Sequence, residues 1–374
     1  MPEPLHDAYR AREADQDDLW SDVDRLLEGA SLDGIVFHKL GALEARRLRS
    51  RGDPLPTALQ WEEKAAAVLA LAVGPLLAQV RAGCDGPLVL MKGPELALGY
   101  PGRARTFHDL DLLVPDARLV HGQLKEAGLV EIGDAELYFG IHHLRPLRWQ
   151  SLPLVVEVHS RPKWPNGLGE PPPTAEIIAS AVPTGLGVGG IQSPDPAQHA
   201  LLVAAHAWAH EPLRHLRDLL DVQVAAASAD RTEIERVARA WGLWRLWHTT
   251  DEAAAAALGL RRPPLAVRLW ARHLGAVRER TVAENHLQRL LAGFWALPLR
   301  SALTSTAAAV AGDLRPAFDE GWREKVARVI RASTSATTPL SNHNRRLGDS
   351  ARRGQTRNPP GEDDIAAPAG DRPV

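Results

Sequence analysis

One short run with two aspartates, DLDLLVP at 109–115, limits the possible folds more than any other stretch. Its leucines and its final proline are typical of a buried strand that ends at Pro115. Side chains two residues apart in a strand point the same way, so Asp109 and Asp111 share one face. Adjacent carboxylates repel each other and resist burial unless a positive charge neutralises them. The pattern therefore predicts a strand end that is either hydrated or holds a cation.

Short apolar runs alternate with helical patterns on both sides of this strand. We predict a strand in GPLVLMKG (86–93), a helix in PELALGY (94–100) and another strand in LPLVVEVHS (152–160). Pro94 suits the first position of a helix, where its missing N–H costs nothing. Strands that alternate with helices predict an α/β (α+β) fold, in which a mixed sheet is flanked by helices.

Changes of composition along the chain predict five segments. The first residues are polar and acidic, and the last forty or so lack periodicity and are poor in large apolar residues, which is typical of disorder. We expect a disordered leader at 1–17, an α/β domain with N-terminal helices at 18–165, a Pro/Gly-rich connector at 166–196, a helical lobe at 197–331 and a disordered tail at 332–374.

Charge, cysteine content and hydropathy exclude several classes of protein. The formal net charge of -2 provides no general basic field for nucleic acid. Cys84 is the only cysteine, so no intramolecular disulfide framework and no zinc-thiolate cluster can form. No signal peptide is recognisable, and the longest apolar run, 65–78, is too short to span a bilayer. We expect a cytoplasmic protein without a membrane partner.

A third carboxylate and a group of cations accompany the aspartate pair. Glu157 lies in an apolar strand, and three carboxylates on neighbouring strand ends suit Mg²⁺, which prefers oxygen ligands and bridges to phosphates. Lys92 and Gly93 form a turn before a helix, where backbone N–H groups and an ammonium can receive a phosphate. Arg103 and Arg105, just before the aspartates, can hold further phosphate oxygens. Simple ion pairs or hydration remain the alternatives at each position.

Two stretches together carry a family resemblance. KGPELALGYPGRARTFHDLDLLV, followed later by VVEVHS, resembles the uncharacterised bacterial branch of the nucleotidyltransferase superfamily with the DNA polymerase β-like fold. The resemblance implies a nucleotidyltransferase-like mixed sheet and a helical C-terminal lobe. It also implies site roles: Asp109 and Asp111 as the metal-binding pair, Glu157 as the third carboxylate, Gly93 as the nucleotide-phosphate turn and Arg105 as the arginine before the pair. Gly93 is followed by Pro94, where the superfamily usually has Ser or Gly.

The function that follows is Mg²⁺-dependent transfer of a nucleoside monophosphate from an NTP to a hydroxyl acceptor, with two Mg²⁺ ions on the three acids. A small-molecule, peptide or protein acceptor is favoured over nucleic acid, because acidic residues interrupt the arginines of the helical lobe. The alternatives are a non-catalytic nucleotide- or partner-binding module of the same fold and a toxin-like tRNA nucleotidyltransferase. The acceptor, the nucleotide and the oligomeric state are left open.

Three histidines are further candidates. His206 and His210 share a helical face, but no glutamate follows His206 as it does in a zinc hydrolase, so a structural or acceptor-site role is predicted. His159 shares a strand face with Glu157 and can either hydrogen-bond that carboxylate or be satisfied elsewhere.

Overall fold

The computed structural model describes residues 18–133, 142–149, 152–314, 321–325 and 336–339. Within these residues, strands form one mixed sheet in the order β3-β4-β5-β2-β1-β7-β6. The strands are β1 Leu88–Leu90, β2 Asp109–Leu113, β3 Val130–Glu131, β4 Leu147–Arg148, β5 Val155–His159, β6 Val182–Pro183 and β7 Ile191–Ser193. Strand β2 is parallel to β5 and antiparallel to β1, which is in turn parallel to β7. The predicted α/β fold with a mixed sheet is confirmed.

Helices precede and interleave with the first strands. They are α1 at 18–27, α2 Leu32–Phe37, α3 Gly41–Arg51, α4 Thr57–Gly83, α5 Pro94–Ala97 and α6 Ala117–Glu126. By length and composition alone α4 could cross a membrane, but such a helix also occurs in the core of soluble proteins, and one side of α4 packs on α3 and α6. The predicted helix at 94–100 is a single turn, because Gly99 and Tyr100 lead into a 3₁₀ turn at Pro101–Arg103.

The chain after the sheet is almost entirely helical. Its helices are α7 Thr174–Ala179, α8 Pro196–His210, α9 Leu216–Ala227, α10 Arg231–Ala240, α11 Trp244–Ala257, α12 Leu265–Trp270, α13 Arg272–Gly275, α14 Val282–Leu291, α15 Gly293–Ala296 and α16 Leu299–Leu314. The segment 166–196, expected to be a connector with at most a short helix, also supplies strands β6 and β7 to the sheet. The expectation missed them because strands of two and three residues leave no alternating pattern in a Pro/Gly-rich segment.

Of the two terminal segments predicted to be disordered, the structure describes residues 336–339 alone. Residues 1–17, 332–335 and 340–374 lie outside the described part of the chain. Residues 336–339 contact the start of α14, where the backbone N–H groups of Val282 and Ala283 donate to the carbonyls of Thr338 and Ala336 at 3.1 and 3.0 Å.

Apolar burial on one face of the sheet fixes the direction of the acids on the other. Leu110 and Leu112 of β2 and Val156 and Val158 of β5 are fully buried and belong to one cluster with the leucines of α4. Burying each such side chain stabilises the fold by about 1.5–3 kcal/mol. A slip of one residue in register would turn the acids into this apolar cluster, so this face holds the strands in place.

Candidate active site

Strands β2 and β5 bring the predicted acids side by side. They run parallel with Asp111 opposite Glu157 and Asp109 opposite Val155. His159 lies opposite Leu113, two residues beyond Glu157 and on the same face. The expected adjacency of these two strands is therefore confirmed, although no ion is present to show what the acids bind.

Asp111, Glu157 and His159 form a tight group, which we call the acid cluster. One potential ligand atom from each lies within 4.8 Å of the other two. His159 Nε2 is 3.0 Å from Asp111 Oδ1 and 3.6 Å from Glu157 Oε2. Asp111 and His159 are each only 2 % exposed, whereas Glu157 is partly open to solvent. Of the two roles open to His159, contact with the carboxylates is the one observed.

A lysine and a second histidine cover the cluster from the other side. Lys92 Nζ lies 3.1 Å from Asp111 Oδ2 and 2.8 Å from His206 Nε2 on α8. His206 therefore positions the ammonium rather than joining a histidine-based metal site. His210, one turn further along α8, contacts Lys163 Nζ at 2.7 Å.

The pKa values of the two aspartates in β2 are shifted in opposite directions. Burial acts to raise the pKa of Asp111, but Lys92 and His159 outweigh it and hold this pKa well below its ordinary value. Burial, and after it the charge of Asp111, raise the pKa of Asp109. Glu157 adds to the same effect on Asp109, so its side chain lies within the field of both other acids. The protein alone thus compensates Asp111 and leaves Asp109 short of positive charge.

Asp109 faces the largest cleft near the acids, a cavity of about 540 Å³. Lys92 and Gly93 line it on the sheet side, and Lys39, Arg214 and Arg217 line it on the helical side. Among the described residues no carboxylate lies within 4.0 Å of Lys39 or Arg217, and the buried Nε of Arg217 has no hydrogen-bond partner. Further carboxylates also line the cleft, and one of them, Glu211, pairs with Arg214. Lys39 and Arg217 are therefore the cations left for an anionic ligand, and the volume suits one such ligand.

Gly93 makes the turn that carries Lys92 into the cleft. It lies between β1 and α5 with φ 66°, a left-handed conformation that favours glycine. A Cβ on Gly93 would lie 2.9 Å from the carbonyl oxygen of Asp109, so the turn packs directly against β2. The expected strand-to-helix turn is confirmed, but a helix of one turn has a small dipole to offer a phosphate.

Arg105 is engaged by the protein itself. Its Nε and one terminal nitrogen donate to the two oxygens of Asp221 at 2.7 Å each, and its other terminal nitrogen donates to the Gly93 carbonyl at 3.2 Å. The Tyr100 hydroxyl also donates to Asp221, at 2.8 Å. The predicted contact between Arg105 and phosphate stays a prediction; what is observed is that Arg105 ties the Gly93 turn to α9.

Some of these neighbours are recognisable from the sequence and others are not. The two-residue spacing of Glu157 and His159 indicates a shared strand face, whereas no sequence pattern points from Arg105 to Asp221. His142, whose ring centroid is 5.3 Å from that of His159, and Lys163 had no local signal. Long-range contacts of this kind depend on the packing of α8 and α9 against the sheet, which a single sequence does not encode locally.

The residues of the site fit a divalent cation. Asp111 Oδ2 is buried and has no well-aligned hydrogen bond, although the Lys92 ammonium is close to it. Carboxylate oxygens from two adjacent strands are donors that Mg²⁺ or Mn²⁺ accepts, and His159 lies beside them as a partner of Asp111. Asp109, which lines the cleft, is not part of this group.

Comparison with known proteins gives one match. A family model described as an uncharacterised nucleotidyltransferase covers residues 16–259, well over half of the chain, and includes the sheet, the acid cluster, α8 and α9. No curated protein and no solved structure matches the chain.

Proposed function

The chain belongs to this uncharacterised nucleotidyltransferase family, and on that basis we propose that it transfers a nucleoside monophosphate from an NTP to a hydroxyl acceptor in a Mg²⁺-dependent reaction. We assign Asp109, Asp111 and Glu157 as metal ligands, and Lys92, Gly93 and Arg105 as residues of the nucleotide site. We also propose membership of the DNA polymerase β-like superfamily and a cytoplasmic location.

One observation supports this proposal most strongly. Asp111 and Glu157 are register partners on parallel strands, and Asp109 shares their face, while a buried oxygen of Asp111 lacks an aligned donor. Lys92 and His159 compensate Asp111, and a bound cation would supply the positive charge that Asp109 lacks. Mg²⁺ bound there would neutralise the triphosphate and favour loss of the acceptor hydroxyl proton.

The chain's own residues supply binding and orientation. Lys39, Arg214 and Arg217 face the cleft next to Asp109, where they can hold the oxygens of a triphosphate. Lys92 connects this cleft to the acid cluster, since its ammonium contacts Asp111. Positioning and charge neutralisation account for most of the catalysis in phosphoryl transfer, so no side-chain nucleophile is required.

The distribution of charge supports an acceptor other than nucleic acid. The arginines of α10 are paired: Arg236 with Glu233, and both Arg231 and Arg239 with Glu235. These pairs leave no continuous basic track along that helix, which an RNA backbone would require. A small molecule, a peptide or a protein hydroxyl is the proposed acceptor.

The test is transfer of label from α-labelled NTP to metabolite, protein and RNA fractions, with Mg²⁺ or with a chelator. We expect transfer only with Mg²⁺, and a loss of at least about a hundredfold in Asp109→Asn and Asp111→Asn. Asp53→Asn, at an exposed aspartate, is the matched control and should keep full activity. Activity in both site variants equal to wild type would refute the proposal. Label chiefly in RNA, and lost as salt rises, would support a tRNA-modifying enzyme instead.

A second candidate is a non-catalytic nucleotide-binding module. The observation in its favour is the Lys92–Asp111 ion pair, in which an ammonium already neutralises the most buried acid. Such a module would bind NTP without consuming it, so neither the wild type nor Lys92→Met would turn NTP over. The proposed enzyme differs in that its wild type consumes NTP.

A further inference from the structure

A second cavity, of about 380 Å³, shares Lys163 with the small pocket at the acid cluster and has no lining residue in common with the nucleotide cleft. It is formed by the segment that follows β5, 161–171, together with His142 and the end of α8 at Ala209. A transferase needs room for two substrates, and both cavities fall in the size range of about 300–1,000 Å³ that is usual for small-ligand sites. The second cavity has no role in the function proposed above.

Two side chains connect this cavity to the acids. Lys163 lines it and also lines a small pocket with Asp111 and His159. His142 lines it as well, and its ring lies 5.3 Å from that of His159. A ligand in the cavity would therefore be separated from the acid cluster by no more than one layer of side chains.

The charge of the cavity is positive. Arg161 and Lys163 both line it, and the acid that lines it is Glu170, which is 91 % exposed and 3.9 Å from Arg161. Lys163 Nζ contacts the ring of His210, and among the described residues no carboxylate lies within 4.0 Å of it. The buried indole Nε1 of Trp164, another lining residue, has no hydrogen-bond partner in the described part of the chain. The Trp164 indole is therefore a donor without an acceptor, and the Lys163 ammonium has a histidine but no carboxylate as its partner.

Relying on the proposed function, we infer that this cavity is the acceptor subsite and that the acceptor is a small hydroxyl compound with a phosphate or carboxylate group. Lys163 and Arg161 bind the anionic group, and the hydroxyl points to the acid cluster. The nucleotide takes the other cleft, because that cleft is larger and because Lys39 and Arg217 there can bind the oxygens of a triphosphate.

The transfer balances without any further reactant. The acceptor oxygen forms a bond to the α-phosphorus, and the bond from that phosphorus to its bridging oxygen breaks. The bridging oxygen leaves with pyrophosphate, and the hydroxyl proton passes to solvent.

Binding can be tested independently of turnover. Glycerol 3-phosphate and glycerate are the anionic probes and glycerol is the neutral one, each measured by equilibrium dialysis with a non-hydrolysable NTP present to fill the main cleft. We expect saturable binding of at least one anion and none of glycerol. Lys163→Met should weaken anion binding about tenfold, as expected for loss of one charge-assisted hydrogen bond. Arg161→Gln, at an exposed side chain that cannot disturb folding, should weaken it by a smaller factor.

Two controls isolate the cavity. Lys64→Met removes an exposed lysine on α4 and should change nothing, and NTP affinity should be the same in Lys163→Met as in the wild type. Equal binding of glycerol, no saturable binding of either anion, or unchanged anion binding in both Lys163→Met and Arg161→Gln would overturn the inference. Failure of the proposed function looks different: anions bind as described, but no label is transferred to any fraction.

Discussion

Two buried aspartates of this protein, Asp221 and Asp111, differ in how completely their partners satisfy them. Asp221 receives two hydrogen bonds from Arg105 and one from Tyr100, at 2.7–2.8 Å. Asp111 has Lys92 and His159 at 3.0–3.1 Å, yet its Oδ2 and the His159 Nε2 lack aligned hydrogen bonds. A closed network of the first kind stabilises a fold, whereas an open one of the second kind leaves capacity for a ligand.

The largest stability effect should come from the closed network. Asp221→Asn leaves the buried guanidinium of Arg105 without its counter-charge, and we expect the free energy of unfolding to fall by about 3–5 kcal/mol. Urea denaturation with a chelator present measures it. Asp109→Asn is the contrasting variant: because burial and Asp111 raise the pKa of Asp109, losing its charge should leave stability unchanged or raise it by about 1 kcal/mol. Equal losses of unfolding free energy in Asp221→Asn and Asp109→Asn would contradict the difference proposed between the two sites.

Acid should weaken the helical region while Asp221 stays ionised. Burial, together with Arg280 and Arg278, outweighs the backbone hydrogen bonds of His38 and lowers its pKa from 6.5 to about 4. Between pH 6.5 and about 4 the unfolded chain binds a proton at His38 and the folded chain does not. The stability that depends on neutral His38 is therefore complete above pH 6.5 and is lost as the pH falls toward 4. The loss amounts to about 3 kcal/mol. The Asp221 carboxylate persists through this window, because Arg105 holds its pKa below the ordinary value despite burial.

Urea denaturation at several pH values between 7 and 4.5 gives the slope of the free energy of unfolding against pH. Other buried histidines contribute to the slope as well, so His38→Gln should reduce it without abolishing it, whereas His248→Gln, at an exposed histidine, should keep it. A slope identical in wild type and His38→Gln would contradict the assignment.

A smaller loss of unfolding free energy, of about 1–3 kcal/mol, is expected at the Gly93 turn, which joins the two networks. Gly93→Ala forces a side chain into a left-handed conformation and against the Asp109 carbonyl 2.9 Å away. Gly29→Ala has the same backbone problem, with φ 85°, but meets nothing within 4 Å. The difference between the two variants in thermal unfolding isolates the contact with β2, and nucleotide binding should fall only in Gly93→Ala. Equal behaviour would show that the turn is not packed as described.

The acids of the open network can be predicted from the sequence, whereas the contacts of the closed network cannot. Asp109, Asp111 and Glu157 are recognisable because each interrupts an apolar strand, and strand periodicity places Asp109 and Asp111 on one face. The adjacency of β2 and β5 followed from the family resemblance and is observed. The Arg105–Asp221 pair joins residues 116 positions apart, and the Lys92–His206 contact joins residues 114 apart. Neither leaves a local pattern, so the sequence predicts neither Asp221 as the partner of Arg105 nor the cavity at Lys163.

The central claim is that the open network binds a metal ion and the closed one does not. Calorimetric titration of Mg²⁺ with a non-hydrolysable NTP into wild type, Asp111→Asn and Tyr100→Phe tests it directly. Asp111→Asn keeps the size of the side chain and removes its charge, while Tyr100→Phe removes one hydrogen bond to Asp221 and leaves the acids intact. The account predicts that Mg²⁺ binds to wild type and Tyr100→Phe alike and that Asp111→Asn loses at least about tenfold in affinity. Mg²⁺ binding of equal strength in wild type and Asp111→Asn would contradict it.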